Sequence, residues 1–445
     1  MDAIYPPKFI NVPRIFSRYH FQLEINDISR HQNGKVNLIV NKNYDQYSNT
    51  LIGSVINSYT YLKLSRAYPD YHQNIEASCK CAVGKCYDFA SDCLLDPIIP
   101  ITFNFHRDIL AFVHIQKTGG TEFTSILAHN VQVDPECLCR PKMIQNVQVE
   151  KCICERPNTK SLKNTINNES AYITEGWLYS RLTYGWIYCG LHPIYVRLRD
   201  CLPMAMKLRS LSTTGNNYYQ QFIAENDIKI DSKILYPKKG YERKLTQDPL
   251  YNRHFVTMLR EPLKRYLSEY NHIRTESDWP EQFIMCQEET LIFRPTCFDH
   301  LQNLSMLTLE EFISCQNQWG NNRMTRHLAD MSIIECDKSL SIEQKNHLML
   351  ESAKINLKLG IRTFGITEYI PQTIYLFEKM LGIQFKDKEG LKNKMGESMR
   401  WFNGLSEDTL VKMVQNNQLD IELYNFALKL FRDRLKKLGY RDDFI

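Results

Sequence analysis

The sequence lacks a long hydrophobic run: no apolar stretch reaches the roughly 18 residues that a membrane-spanning helix needs. Met1 to His20 also lacks the apolar core of a secretory leader. Charge of one sign is scarce, with 55 basic residues against 50 acidic ones and a net charge of +5. That tilt does not argue for nucleic acid, and it suits a polyanion only where the cations cluster. The nucleotide-triphosphate loop G-x-x-x-x-G-K-[ST] is missing, and no convincing metal-holding carboxylate follows a strand, which counts against a nucleotide kinase. No internal repeat or low-complexity tract interrupts the 445 residues, enough for one large core or two moderate ones.

Cysteine, by contrast, is abundant. Fourteen are present, with the close pairs Cys79/Cys81, Cys137/Cys139 and Cys152/Cys154. The C-x-C spacing is tighter than the C-x2-C usual for structural zinc, so disulfides are favoured and no metal is expected. The glycosylation sequons Asn168-Glu169-Ser170 and Asn303-Leu304-Ser305 point to the same secretory compartment. A lumenal protein without a leader is a conflict. Either a membrane anchor lies outside this sequence or the cysteine reading is wrong.

Residues 1–97 have weak periodicity and read as an irregular, cysteine-containing N-terminal extension, followed by one large domain over 98–440. In the domain, Ile109 to Val113 is a continuous apolar run of the kind a buried parallel strand shows. A helix follows over Glu122 to Asn130. Residues 131–160 read as a cysteine-rich loop, and 161–170 as a polar insertion. His254 to Leu259 is a second strand, and Pro262 suits the first position of the helix after it. Ser341-Ile342-Glu343-Gln344 is a capping box for a helix to about Leu359. Thr363 to Ile366 reads as a strand, and Pro371 to Leu381 as a helix stopped by Gly382. A last helix places Leu423, Phe426, Leu430 and Leu438 on one face, with Gly439 as its stop. Strands alternating with helices predict an α/β fold around a central parallel sheet.

The stretch "FVHIQKTGGTEF" (112–123) carries the chemistry. A strand ending at His114 delivers the chain to the carboxyl edge of the sheet, where ligands of α/β folds bind. Gly119 and Gly120 let the backbone approach an anion, and the helix start adds its positive dipole end. Lys117 supplies a cation, and Thr118 and Thr121 supply hydroxyls. A second anion corner is expected where Arg260 ends one strand and Ser268 rides the next helix. Two such corners on one sheet suit a ligand phosphorylated at two separated points. Lys238-Lys239 and Arg243-Lys244 form a further basic cluster, readable as a solvated loop or as a hold on a sulfated glycan.

That stretch and five others, in order along residues 100–438, resemble the heparan sulfate 6-O-sulfotransferases. The others are "CLCR…KCICERP", "WLYSR…GW…CGLH" (177–192), "TMLREPLKRYLSEYNH" (257–272), "NNRMTRHLAD" (321–330) and "FGITEY" (364–369). The resemblance implies a P-loop-like sulfotransferase fold and transfer of a sulfuryl group from 3′-phosphoadenosine 5′-phosphosulfate (PAPS) to the 6-hydroxyl of glucosamine. It implies heparan sulfate as the partner, no nucleic acid, and a Golgi lumenal enzyme with a type II membrane anchor that this sequence does not display. The first 97 residues lie outside it.

Carried over residue by residue, the resemblance puts the donor's 5′-phosphosulfate on His114, Ile115, Gln116, Lys117, Thr118, Gly119, Gly120, Thr121 and Glu122. It puts the 3′-phosphate on Arg260 and Ser268, and the adenosine near Arg400 and Trp401. His192 of "CGLH" matches the proton acceptor, with Lys117 beside the leaving oxygen. Arg181, Trp186, His272 and Trp279 match acceptor-contacting positions. A Lys-Lys pair of the family is here Glu150-Lys151, which bears on which acceptor pattern is preferred. A histidine suits the base, since a sugar hydroxyl must lose its proton as it attacks sulfur. The remaining readings are a PAPS-dependent enzyme acting at another hydroxyl or glycan, and a nonenzymatic heparan-binding protein of the same fold.

Overall fold

A computed structural model of the chain describes residues 26–30, 36–40, 96, 99–144, 147–157, 176–183, 189–190, 192–212, 229–231, 234–236, 252–276, 282–286, 290–293, 296–301, 303–387 and 405–441. Within the expected N-terminal extension, Asn26–Arg30 (β1) pairs antiparallel with Val36–Val40 (β2), which the weak periodicity did not signal. Apart from Asp96, the rest of that extension, the 161–170 insertion and the 238–244 basic cluster lie outside the described residues.

Asp108–Val113 (β3) has all six residues buried because both of its faces are covered. Ile109, Ala111 and Val113 face one apolar layer, while Leu110 and Phe112 face another. This is why the strand reads as a continuous hydrophobic run rather than an alternation. The helix Gly120–Asn130 (α1) follows and packs Phe123, Ile126 and Leu127 into the second layer.

Residues 138–153 are not a loop. Leu138–Ile144 (β4) and Val147–Ile153 (β5) form an antiparallel hairpin in which Cys139 faces Cys152 and Pro141 faces Glu150. Two disulfides cross it, Cys139–Cys152 and Cys137–Cys154. After Leu178–Tyr179 (β6), the helix Tyr195–Ser212 (α2) lies over the first layer. Asn252–Leu259 (β9) comes after a short hairpin, Lys229–Asp231 (β7) with Ile234–Tyr236 (β8). It runs into Pro262–Glu276 (α3), with Pro262 at the first helical position as the sequence predicts.

Gln282–Met285 (β10) and Thr290–Phe293 (β11) make another hairpin, followed by the short helices Leu309–Ser314 (α4), Arg323–Leu328 (α5) and Ser332–Glu335 (α6). The capping box at Ser341 opens Ile342–Ile355 (α7), which finishes in a π turn over Asn356–Gly360. Ile361–Ile366 (β12), Ile370–Leu381 (α8), Glu407–Asn416 (α9) and Gln418–Lys437 (α10) complete the chain. Gly382 ends α8 in the left-handed region at φ 65°, where a Cβ would lie 2.9 Å from the Ile101 carbonyl.

The central sheet is parallel, in the order β12-β9-β3-β6. The chain leaves β3 toward β6 on one side, then returns to β9 on the other. Winding therefore reverses about β3, and the carboxyl ends of β3 and β9 flank the switch point at which such sheets bind ligands.

Candidate active site

Past β3 the backbone bends sharply. Lys117 lies in the left-handed region at φ 62°, which a side chain with a Cβ rarely enters, and Gly119 follows at φ 77°. Three neighbours hold the bend. The buried Thr118 hydroxyl donates to the Ile115 carbonyl at 2.9 Å. Arg260, just past β9, donates to the Lys117 carbonyl at 3.1 Å. Thr367, just past β12, donates to the Thr118 carbonyl at 2.6 Å and to Leu259 O at 3.0 Å. Three strand ends thus converge on one loop. Gly120 has no space for a side chain: a Cβ would lie 3.0 Å from Phe112 and 3.1–3.2 Å from the His114 ring. Gly120 is buried there, whereas Thr121 and Glu122 are exposed in the first turn of α1.

Two carboxylates, Glu368 and Glu261, act on Arg260 through charge. Glu261 accepts from the Leu263 and Lys264 N–H groups and so caps α3, while its own N–H donates to Glu368. Tyr424 of α10 donates to Glu368 at 2.9 Å. Burial pushes the Arg260 pKa down, with Glu368 and Glu261 opposing it.

α3 also carries Ser268 and His272, both half-buried. It is fixed from behind by a buried ion network. Glu269 accepts from Arg265 and from Arg323 of α5; Arg265 also donates to the Gly320 carbonyl at 2.7 Å. Burial alone would raise the Glu269 carboxyl, but Arg323 and Arg265 outweigh it and take it down to about 2. Asp420 of α10 accepts from the N–H groups of Met324 and Thr325.

His192 lies on the turn before α2, closed by the Cys189–Cys201 disulfide. Its Nδ1 is 3.3 Å from the His114 carbonyl, and its ring meets the His114 ring edge to face at 4.9 Å. With Nδ1–H donated to that carbonyl, Nε2 holds the lone pair. Burial pushes its pKa well below 6.5, helped by His114, Arg181 and His327. His114 itself is lowered to about 3 by burial, then by Arg181 and Lys117.

Glu150 and Lys151 point in different ways. Glu150 is exposed and 3.1 Å from His129 of α1; Lys151 is buried and donates to the Arg181 carbonyl at 2.7 Å. His129, Cys139, Glu150 and Cys152 offer ligand atoms within 4.8 Å of one another, but the two sulfurs are joined in a disulfide and are not thiolates. Trp186, Trp279, Arg400 and Trp401 lie outside the described residues.

The loop, Arg260, His114, His192 and Arg181 are therefore brought together. The sequence reading missed Thr367, Glu368 and Tyr424 as braces. Thr367 and Glu368 stand in the "FGITEY" stretch, so a hydroxyl one residue past a strand end was the available signal.

Residues 102–427 match the Sulfotransferase family. The chain is similar to Heparan-sulfate 6-O-sulfotransferase 1 of Cricetulus griseus, 33% identical over 74% of this chain and 68% of that protein. It is 32% identical to Heparan-sulfate 6-O-sulfotransferase 1 of Homo sapiens over 74% of this chain and 66% of that protein. Heparan-sulfate 6-O-sulfotransferase 3-B of Danio rerio is 31% identical over 77% and 68%. The chain spans about two thirds of the length of these relatives.

Proposed function

The chain belongs to the sulfotransferase family, among the heparan sulfate 6-O-sulfotransferases, and from that premise we propose that it transfers a sulfuryl group from PAPS to the 6-hydroxyl of N-sulfoglucosamine in heparan sulfate. The observation that carries this reading is the meeting of the loop after β3 with a histidine whose Nδ1 lies 3.3 Å from that loop's own carbonyl.

The loop fits a phosphorylated donor. Two of its buried polar atoms, His114 Nδ1 and Gln116 Oε1, have no hydrogen-bond partner among the described residues. Its carbonyls at Ile115, Lys117 and Thr118 are engaged by Thr118, Arg260 and Thr367, and Gly120 lets α1 start tight against the Phe112 and His114 rings, where a side chain would clash. The residues from His114 to Glu122 would hold the 5′-phosphosulfate. Arg260 and Ser268 would hold the 3′-phosphate, and Arg400 with Trp401 the adenosine. The donor, when bound, supplies the sulfuryl group and a phosphate-oxygen leaving group.

His192 takes the acceptor hydroxyl proton at Nε2. Its burial keeps it neutral, so the base is available without prior deprotonation. Lys117 and the loop N–H groups stabilise charge gathering on the leaving oxygen. Arg181, Lys151, Glu150, Trp186, His272 and Trp279 form the acceptor side, with Lys151 acting through the Arg181 backbone. The catalytic domain is 98–440 and works in the Golgi lumen, a setting supported by five disulfides among the described residues. No helix among those residues is long and apolar enough to cross a membrane.

The test incubates purified protein with PAPS and N-sulfated heparosan, beside a His192→Ala control, and reads sulfate position in the digested disaccharides by mass spectrometry. New 6-O-sulfate, lost in the control, is the expected result. Sulfate at another hydroxyl or on another glycan would replace the acceptor assignment. Glycan binding with no transfer would leave a nonenzymatic binding protein.

A further inference from the structure

His114 has a place in the fold that donor binding alone does not explain. Its ring is buried, and it is wedged between two functional parts. On one side is the start of α1, where a Cβ on Gly120 would fall 3.1 Å from His114 Cδ2 and 3.2 Å from Nε2. On the other side is the His192 ring, perpendicular to it at 4.9 Å. Phe112 closes a third side edge to face, with centroids 5.9 Å apart. The same residue's carbonyl is 3.3 Å from His192 Nδ1.

The base is therefore oriented through one residue of the donor loop, by both its backbone and its ring. A shift of Gly120 toward the ring displaces it, since the gap between them is too small even for one methyl group. A shift of that ring or carbonyl turns the imidazole of His192. We infer that His114 is a positioning residue, which sets the orientation of His192 and couples it to the seating of the donor loop.

This inference rests on the reading of His192 as the base. It goes beyond it in giving His114 a role that no direct contact with the donor requires. It predicts a split between turnover and binding. Loss of the ring removes one donor-side atom, His114 Nδ1, from a loop still braced by Arg260 and Thr367, so the KM for PAPS rises, but by less than kcat falls. The base loses its support, so kcat falls.

The experiment compares kcat and both KM values across pH for the parent, His114→Ala, His114→Leu, His114→Phe and His192→Ala. Unfolding midpoints check that each variant is folded. His114→Ala is expected to lower kcat at least tenfold at pH 7, a larger change than its rise in KM for PAPS. Its acid limb also moves up toward the ordinary histidine range as water reaches His192. His114→Leu fills the space without a ring and gives the same fall in kcat, which decides the matter if the alanine variant does not fold. His114→Phe restores the flat edge-to-face partner and recovers at least threefold in kcat over the leucine variant, with no recovery in the KM for PAPS. A leucine variant with parental kcat, or a phenylalanine variant as slow as the leucine one, would overturn the inference. If His192→Ala keeps parental turnover, it is the assignment of the base that fails, whatever the His114 variants do.

Discussion

At the scale of single residues, the site depends on what is excluded as much as on what is present. Gly120 has two reasons to be glycine, Phe112 and His114, both within 3.2 Å of where a Cβ would stand. Gly120→Ala is expected to cost about 1–3 kcal/mol of stability through overpacking. Because one displaced group, His114, opens the proposed donor loop, affinity for 3′-phosphoadenosine 5′-phosphate should fall with it, as read by calorimetric titration. Unchanged affinity would mean that loop geometry and α1 packing are independent. Thr367 offers a gentler probe. Thr367→Val keeps the shape but withdraws the donor from two carbonyls. A loss of about 1–2 kcal/mol corresponds to roughly a five- to thirtyfold weaker donor complex if the hydrogen bonds serve the bound form. A variant with parental affinity and lower stability would place Thr367 in folding alone.

At the scale of elements, disulfides do what apolar faces do elsewhere. The turn bearing His192 is short, with Cys189 and Ile194 buried in the first apolar layer. Its position comes from Cys189–Cys201, which closes a 12-residue separation onto α2. Replacing both cysteines by serine should cost on the order of 3 kcal/mol. With His192 as the proposed base, it should also lower kcat more than KM, because the cross-link touches neither α3 nor β5, where the acceptor contacts are proposed. Equal loss in both parameters would argue for general unfolding instead. The same reliance on cross-links explains what the sequence could and could not reveal. The corner after β3 is legible because a double-faced strand writes a continuous apolar run and the bend needs glycine. The capping box of α7 and the glycine stops of α8 and α10 are legible for equally local reasons. The β4–β5 hairpin is not. Its strand "LCRPKMI" mixes proline with cations and has no apolar alternation, since Cys137–Cys154 and Cys139–Cys152 hold it. The proposed acceptor side rests on resemblance alone, for Arg181, His192 and His272 come from three separate segments and no local pattern joins them. The opposed directions of Glu150 and Lys151 follow from strand alternation, but only once the segment is known to be a strand.

At the scale of the whole molecule, the protein carries a set of histidines held neutral in its interior. Burial, before any neighbouring charge, takes His114 and His327 down to about 3 and His192 well below 6.5. Each binds a proton in the unfolded chain below pH 6.5 and not in the folded one until far lower. Stability is therefore fully present above pH 6.5 and declines as pH falls from 6.5 toward 3. The slope is about 1.4 kcal/mol per pH unit for each histidine, so about 4 kcal/mol per unit for the three. Glu261 and Asp420 oppose this at lower pH, because burial raises their carboxyls and the folded state then binds protons more readily. Denaturant unfolding at pH 7.5, 6.5 and 5.5 should thus give a plateau followed by a steep fall. His327 is the one of the three outside the donor loop and the proposed base, acting on His192 through charge only: it lies at the buried end of α5, its Nδ1 3.1 Å from the Arg323 carbonyl. His327→Gln should remove about a third of the acid slope while lowering stability at pH 7.5. An acid slope unchanged in that variant, or stability flat between pH 6.5 and 5.5, would mean that the interior histidines take up protons as they do in the unfolded chain.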